Sequence, residues 1–186
     1  MDIRTAAFFI AIGIFLAVLA WIAVRAYRRA QSSSGKDWDH LLKRLAAVDR
    51  ASIAEVALDI IDETGQRRRD EGSAILDSGQ IWKLLGGLEG LEVLEANCAV
   101  LIDLAFYVQR WYPEALVVAE RLRASAREIE WHVERLKGAQ KTGKLESAFS
   151  MYAQPAVATY YVMTRQVLAL YAQGNLAMLA DLEKAL

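Results

Sequence analysis

The chain begins with an unbroken apolar stretch and then shifts to apolar positions spaced three and four apart, a pattern that persists almost to its end. Thr5 to Val24 reads TAAFFIAIGIFLAVLAWIAV, without a charge and without a polar face. Twenty helical residues rise about 30 Å, the thickness of a bilayer's hydrocarbon core. An isolated span can satisfy its backbone hydrogen bonds in lipid only as a helix, so residues 5–24 are expected to be a transmembrane helix behind a short tail, residues 1–4. A cleaved signal peptide is the rival reading. The apolar run is longer than the usual 7–15-residue signal core, and its leading segment carries little positive charge.

The flanks give the expected span a direction. Arg25, Arg28, Arg29 and Lys36 follow it, whereas Arg4 before it is offset by Asp2. Basic residues favour the cytoplasmic side, which predicts an outside N-terminus and a cytoplasmic C-terminal domain at the plasma (inner) membrane. Trp21 and Tyr27, with Arg25, Arg28 and Arg29, form the expected membrane-interface group. Gly13, Ala17 and Ala20 place small residues on one face, where two spans can approach closely and form a homodimer. Residues 25–36 read as a basic juxtamembrane segment and linker, with AQSSSGK as its flexible part.

From Asp37 to Leu186 the periodicity is that of helices, and no stretch alternates as a strand would. Trp38, Leu41, Leu42 and Leu45 mark a first short helix. Ser52 and Glu55 form a capping-box pair that opens a second, running to about Glu63, with Gly65 placed to end it. Residues 66–77 read as the longest loop. Asp77 and Gln80 then cap a helix that Gly86, Gly87 and Gly90 interrupt. Leu91 to Trp111 is apolar on nearly every side over 99–108, so this helix is expected at the centre. Pro113 suits the first turn of the next helix, whose seam is Ala115, Ala119, Leu122, Ala126, Ile129, Val133 and Leu136. A short helix is expected over 145–152. Pro155 then begins or kinks another, which reaches Gln173, and a last helix covers 176–186. The fold class predicted is all-α: one N-terminal transmembrane helix, then a soluble bundle domain, residues 37–186, of about seven unequal helices, the two longest paired antiparallel.

Charge narrows the partners. Five of the 22 basic residues and one of the 23 acidic ones lie in 1–36, which leaves residues 37–186 acidic by five. The bundle therefore lacks the basic footprint of a nucleic-acid-binding domain, while the basic flank suits anionic lipid. The single cysteine, Cys98, lies on an apolar seam, excludes an intrachain disulfide and reads as a buried, inert thiol.

Candidate chemistry is sparse. Gly138 to Lys144 matches G-x-x-x-x-G-K, but Leu145 stands where a phosphate-binding loop needs a serine or threonine, and a helix rather than a strand precedes it. Trp82, Leu85 and Gly86 match the start of a tetratricopeptide repeat, but Glu89 breaks the match and no second copy follows. His40 and His132 lack the Glu-x-x-His spacing of a bundle metal site, so no metal and no cofactor is expected. Asp103 sits between Ile102 and Leu104, where a carboxylate must be paired or protonated; Arg165, alone in its own apolar helix, is the expected partner. Phe149, Tyr152, Tyr160, Tyr161 and Tyr171 are either core or the lining of a groove for a partner. Arg67, Arg68 and Arg69 read as a solvated loop, with contact to anionic lipid as the alternative. Without a catalytic signature, the expected function is a membrane-anchored protein–protein interaction or scaffold module. The alternative is a tethered sensor or carrier for a small apolar ligand inside the bundle.

Overall fold

A computed structural model describes residues 21, 38–68 and 75–186. The chain divides into two units, Met1–Lys36 and Asp37–Leu186. The expected span at 5–24 lies outside the described residues apart from Trp21, which is exposed, as do Arg25, Tyr27, Arg28 and Arg29. Gly13, Ala17 and Ala20 lie outside them too. Among the described residues, no helix is long and apolar enough to cross a membrane.

Seven helices are described in the second unit, and the fold is all-α: α1 (Trp38–Arg44), α2 (Arg50–Leu58), α3 (Ser78–Leu85), α4 (Gly87–Val108), α5 (Ala115–Lys141), α6 (Leu145–Gln173) and α7 (Leu179–Ala185). α2 starts earlier than the Ser52–Glu55 pair suggested. Asp49 is the cap: its carboxylate accepts from the Ala51 N–H at 3.0 Å and takes the Ser52 hydroxyl at 2.7 Å. α2 also ends earlier, at Leu58. Asp62 accepts from the N–H groups of Thr64 and Gln66 and offers the chain a turn in place of further helix. Ile61 and Arg67 then pair as an isolated β-bridge.

Asp77 and Gln80 form the expected reciprocal cap of α3. Only Gly86 breaks the chain between α3 and α4; Gly87 and Gly90 lie inside α4. α6 is a single helix of 29 residues with Pro155 inside it, where a short helix and a restart were expected. Proline removes one ladder hydrogen bond, and burial on both sides of it, at Ala153, Gln154, Ala156 and Val157, holds the helix continuous.

α5 and α6 join through a short turn and run antiparallel: His132 and Tyr152, ten residues to either side of Thr142, have ring centroids 6.0 Å apart. The α5 seam packs as its period implied, with Ala115, Ala119, Leu122, Ile129, Val133 and Leu136 buried. The most connected helix is α6, which packs against α2, α3, α4, α5 and α7. α4, expected at the centre, is central as well: it packs on α1, α3, α5 and α6, with 12 of its 22 residues buried.

Candidate interaction groove

The α5–α6 hairpin carries a surface groove of about 450 Å³ near its turn. Small residues make the space: Gly138 and Ala139 on α5 face Ala148 on α6, and Met151 and Tyr152 close one end. Trp131 flanks it, 49% exposed, its ring edge-on to Tyr152 at 5.8 Å and to His132 at 4.9 Å. The Arg135 guanidinium lies 5.0 Å over the Trp131 ring. Met151, one residue along from Tyr152, is 60% exposed. The groove thus has an aromatic and thioether wall, with Arg135 and Lys144 bordering it. Glu134, also at its border, is drawn to Lys137 at 3.3 Å, and Lys137 also meets Glu92 and Glu95 of α4 at 3.5 Å each.

His132 stands directly behind this wall. It is buried, and its Nδ1 has no hydrogen-bond partner among the described residues. Burial holds the imidazole below its ordinary value of 6.5; Glu128 opposes that shift and Arg67 adds to it. A second, smaller groove of about 230 Å³ lies further along the same hairpin, between Glu128, Pro155 and Thr159 on one side and Arg67 on the other.

The five aromatic residues expected as a possible groove do not gather. Tyr152 reaches the groove. Phe149 is core and packs on Trp82 at 4.7 Å. The buried Tyr160 oxygen accepts from Asn97 at 3.3 Å, and burial pushes its hydroxyl up to about 12. Tyr171 donates to the Leu104 carbonyl at 3.0 Å and is likewise pushed up by burial. Tyr161 lies half-buried beside Arg165.

The Asp103–Arg165 pair is corrected by the structure. Asp103 bonds Arg44 of α1 at 2.7 Å, whereas Arg165 donates to the Glu63 carbonyl at 2.5 Å. The face of α4 that carries Asp103 packs on α1, so the nearest cation comes from there. Gly138–Lys144 is a helix end rather than a phosphate loop. α5 continues to Lys141, and the N–H groups of Thr142, Gly143 and Lys144 bond back to the carbonyls of Ala139 and Gln140. Amides spent in this way cannot cradle an anion. Cys98 is buried, gives its S–H to the Leu94 carbonyl, and is pushed up to about 12 by burial. Among the described residues, no three His, Cys, Asp or Glu side chains converge as metal ligands would.

Two polar residues overlooked in the sequence organise the bundle. Asn97, on the buried face of α4, accepts from Ala46 N–H and donates to Ala46 C=O, both at 2.9 Å, and so pins the α1–α2 connection as a strand partner would. Asp59 accepts from Gln154 of α6 at 2.9 Å and from the Ile75 N–H at 2.8 Å, which ties the far end of the loop to α6. The signal was present: each is a polar residue three positions after a buried apolar one, Leu94 and Val56 respectively.

No family model, curated protein or solved structure matches the chain.

Proposed function

We propose that this chain is a single-pass membrane protein, N-terminus outside, whose helical domain works on the cytoplasmic side of the plasma (inner) membrane as a protein–protein interaction module. The groove beside Trp131 is the docking site, and the protein acts by binding rather than by catalysis. One observation carries the reading: Trp131 and Met151 stay exposed beside Tyr152 at the edge of a groove. Interface energy concentrates in tryptophan, tyrosine and arginine, and Trp131, Tyr152 and Arg135 meet here. Methionine suits a surface that must adapt to its occupant. The anchor is supported by the apolar run 5–24 and the basic residues after it.

An apolar ligand inside the bundle has less behind it. Tyr160 and Tyr171, which would have lined its site, hold their hydroxyls against Asn97 and Leu104 in the packed core.

The test is purification of the full chain from solubilised membranes, wild type beside Trp131→Ala combined with Met151→Ser. A protein partner recovered in fixed stoichiometry with the wild type, and lost by about tenfold or more in the variant, is expected. Recovery of the wild type alone, or equal recovery of the partner by both chains, would overturn the assignment.

A further inference from the structure

A second exposed apolar surface lies at the α4–α5 connection. Trp111 is 53% exposed, and Leu116 and Val117 on the first turn of α5 are exposed beside it. Capping bonds from Ala115 to Tyr112 and from Leu116 to Pro113 hold these residues in one tight tip. Arg110 lies over the rings of Tyr107, at 4.8 Å, and Trp111, at 5.7 Å. Of the neighbouring charges, Arg123 and Glu120 pair with each other, and Arg110 is the cation held on the rings of the tip. The tip therefore combines exposed apolar side chains, an amphipathic tryptophan and an arginine stacked on it.

Its place in the domain indicates what covers it. Trp38, where α1 begins, has its ring 5.7 Å from Tyr107, and the Tyr107 ring is 5.3 Å from Trp111. The chain thus enters the domain at the end that carries the tip. If residues 5–24 span a bilayer, residues 25–36 reach about 40 Å at most when extended, so this end of the domain stays within reach of the lipid surface.

We infer that the tip formed by Arg110, Trp111, Leu116 and Val117 is a membrane-contact site that seats the domain on an anionic lipid surface. The position of this surface rests on the anchored reading above; its affinity for lipid does not. Tryptophan favours the headgroup level, Leu116 and Val117 enter the acyl boundary, and Arg110 meets lipid phosphates.

Residues 37–186 hold their own core and can be tested alone. They are floated with vesicles of two parts phosphatidylcholine to one part phosphatidylglycerol, and with phosphatidylcholine alone. The mixed vesicles are expected to carry the domain, with binding that falls as salt is raised. Arg110→Gln should weaken partitioning about fivefold, and Leu116→Ser with Val117→Ser should weaken it further while the fold, followed by circular dichroism, is kept. No flotation of the wild type, or flotation unchanged in both variants, would overturn the site. Alkaline extraction of membranes carrying the full chain reports on the anchor separately. A chain that resists extraction while residues 37–186 fail to float would remove the tip and leave the anchor standing.

Discussion

His132 shows how one residue couples the candidate groove to stability. It is buried against Trp131 and Tyr152, and its imidazole titrates below 6.5 in the folded state, with Glu128 and Arg67 as the charges acting on it. Between that depressed value and the unfolded one, the unfolded chain binds the proton and the folded chain does not. Stability is therefore intact above 6.5 and is lost as pH falls through the folded value. Replacing His132 by Phe keeps a ring in the space and removes the titration. Urea midpoints measured at about pH 7.5 and about pH 5.5 should diverge less in the variant than in the wild type. An equal loss in both would show that another group carries the acid sensitivity.

At the scale of elements, glycines decide how the helices meet, and the same substitution should have opposite signs at two of them. A Cβ on Gly90 would strike the backbone carbonyl of Leu85, which cannot swing away. Alanine's helix propensity contributes about 1 kcal/mol, but forcing the α3–α4 corner apart costs about 1–3 kcal/mol, so Gly90→Ala should destabilise. Gly138 sits in α5 with nothing near its missing Cβ, so there only the propensity counts, and Gly138→Ala should stabilise by about 1 kcal/mol. Thermal unfolding of both variants checks the pair. A stabilised Gly90→Ala would mean that α3 yields freely at that corner. Gly87, with φ of +76° and the Trp82 ring over it, reinforces the same close corner.

At the scale of the molecule, α6 is the element on which the others depend. It packs against α2, α3, α4, α5 and α7, it meets α1 where the Trp38 ring lies 5.6 Å from that of Tyr171, and Asp59 and Asn97 reach it through Gln154 and Tyr160. A core routed through one helix leaves no part able to unfold alone, so residues 37–186 should lose secondary structure and tryptophan packing in a single coincident transition. Separate midpoints for far-ultraviolet circular dichroism and tryptophan fluorescence would count against that. Among the described residues, the exposed tryptophans of this unit include Trp131 on α5, Trp111 beside the entry of the chain and Trp82 on α3. A partner and a lipid surface could therefore be engaged together.

The all-α class, the seam of α5 and the cap of α3 were legible in the sequence, whereas the pairing of α5 with one long α6 was not, because the two longest helices read from the pattern were those over 91–111 and 113–137. The legible features depend on neighbours close along the chain: a period of three and four, and a carboxylate three residues before an amide. The partner of Asp103, the central place of α6 and the scattering of the tyrosines were not. Arg44 and Arg165 are equally basic on paper, and only the packing of α1 on α4 brings the first to Asp103. Pro155 reads as a break until burial to either side of it holds α6 in one piece. The groove beside Trp131 forms because three small residues from two helices face one another, and spacing along one helix cannot encode which residues stand across from it. Local patterns decide which helices form; long-range packing decides which of their side chains meet.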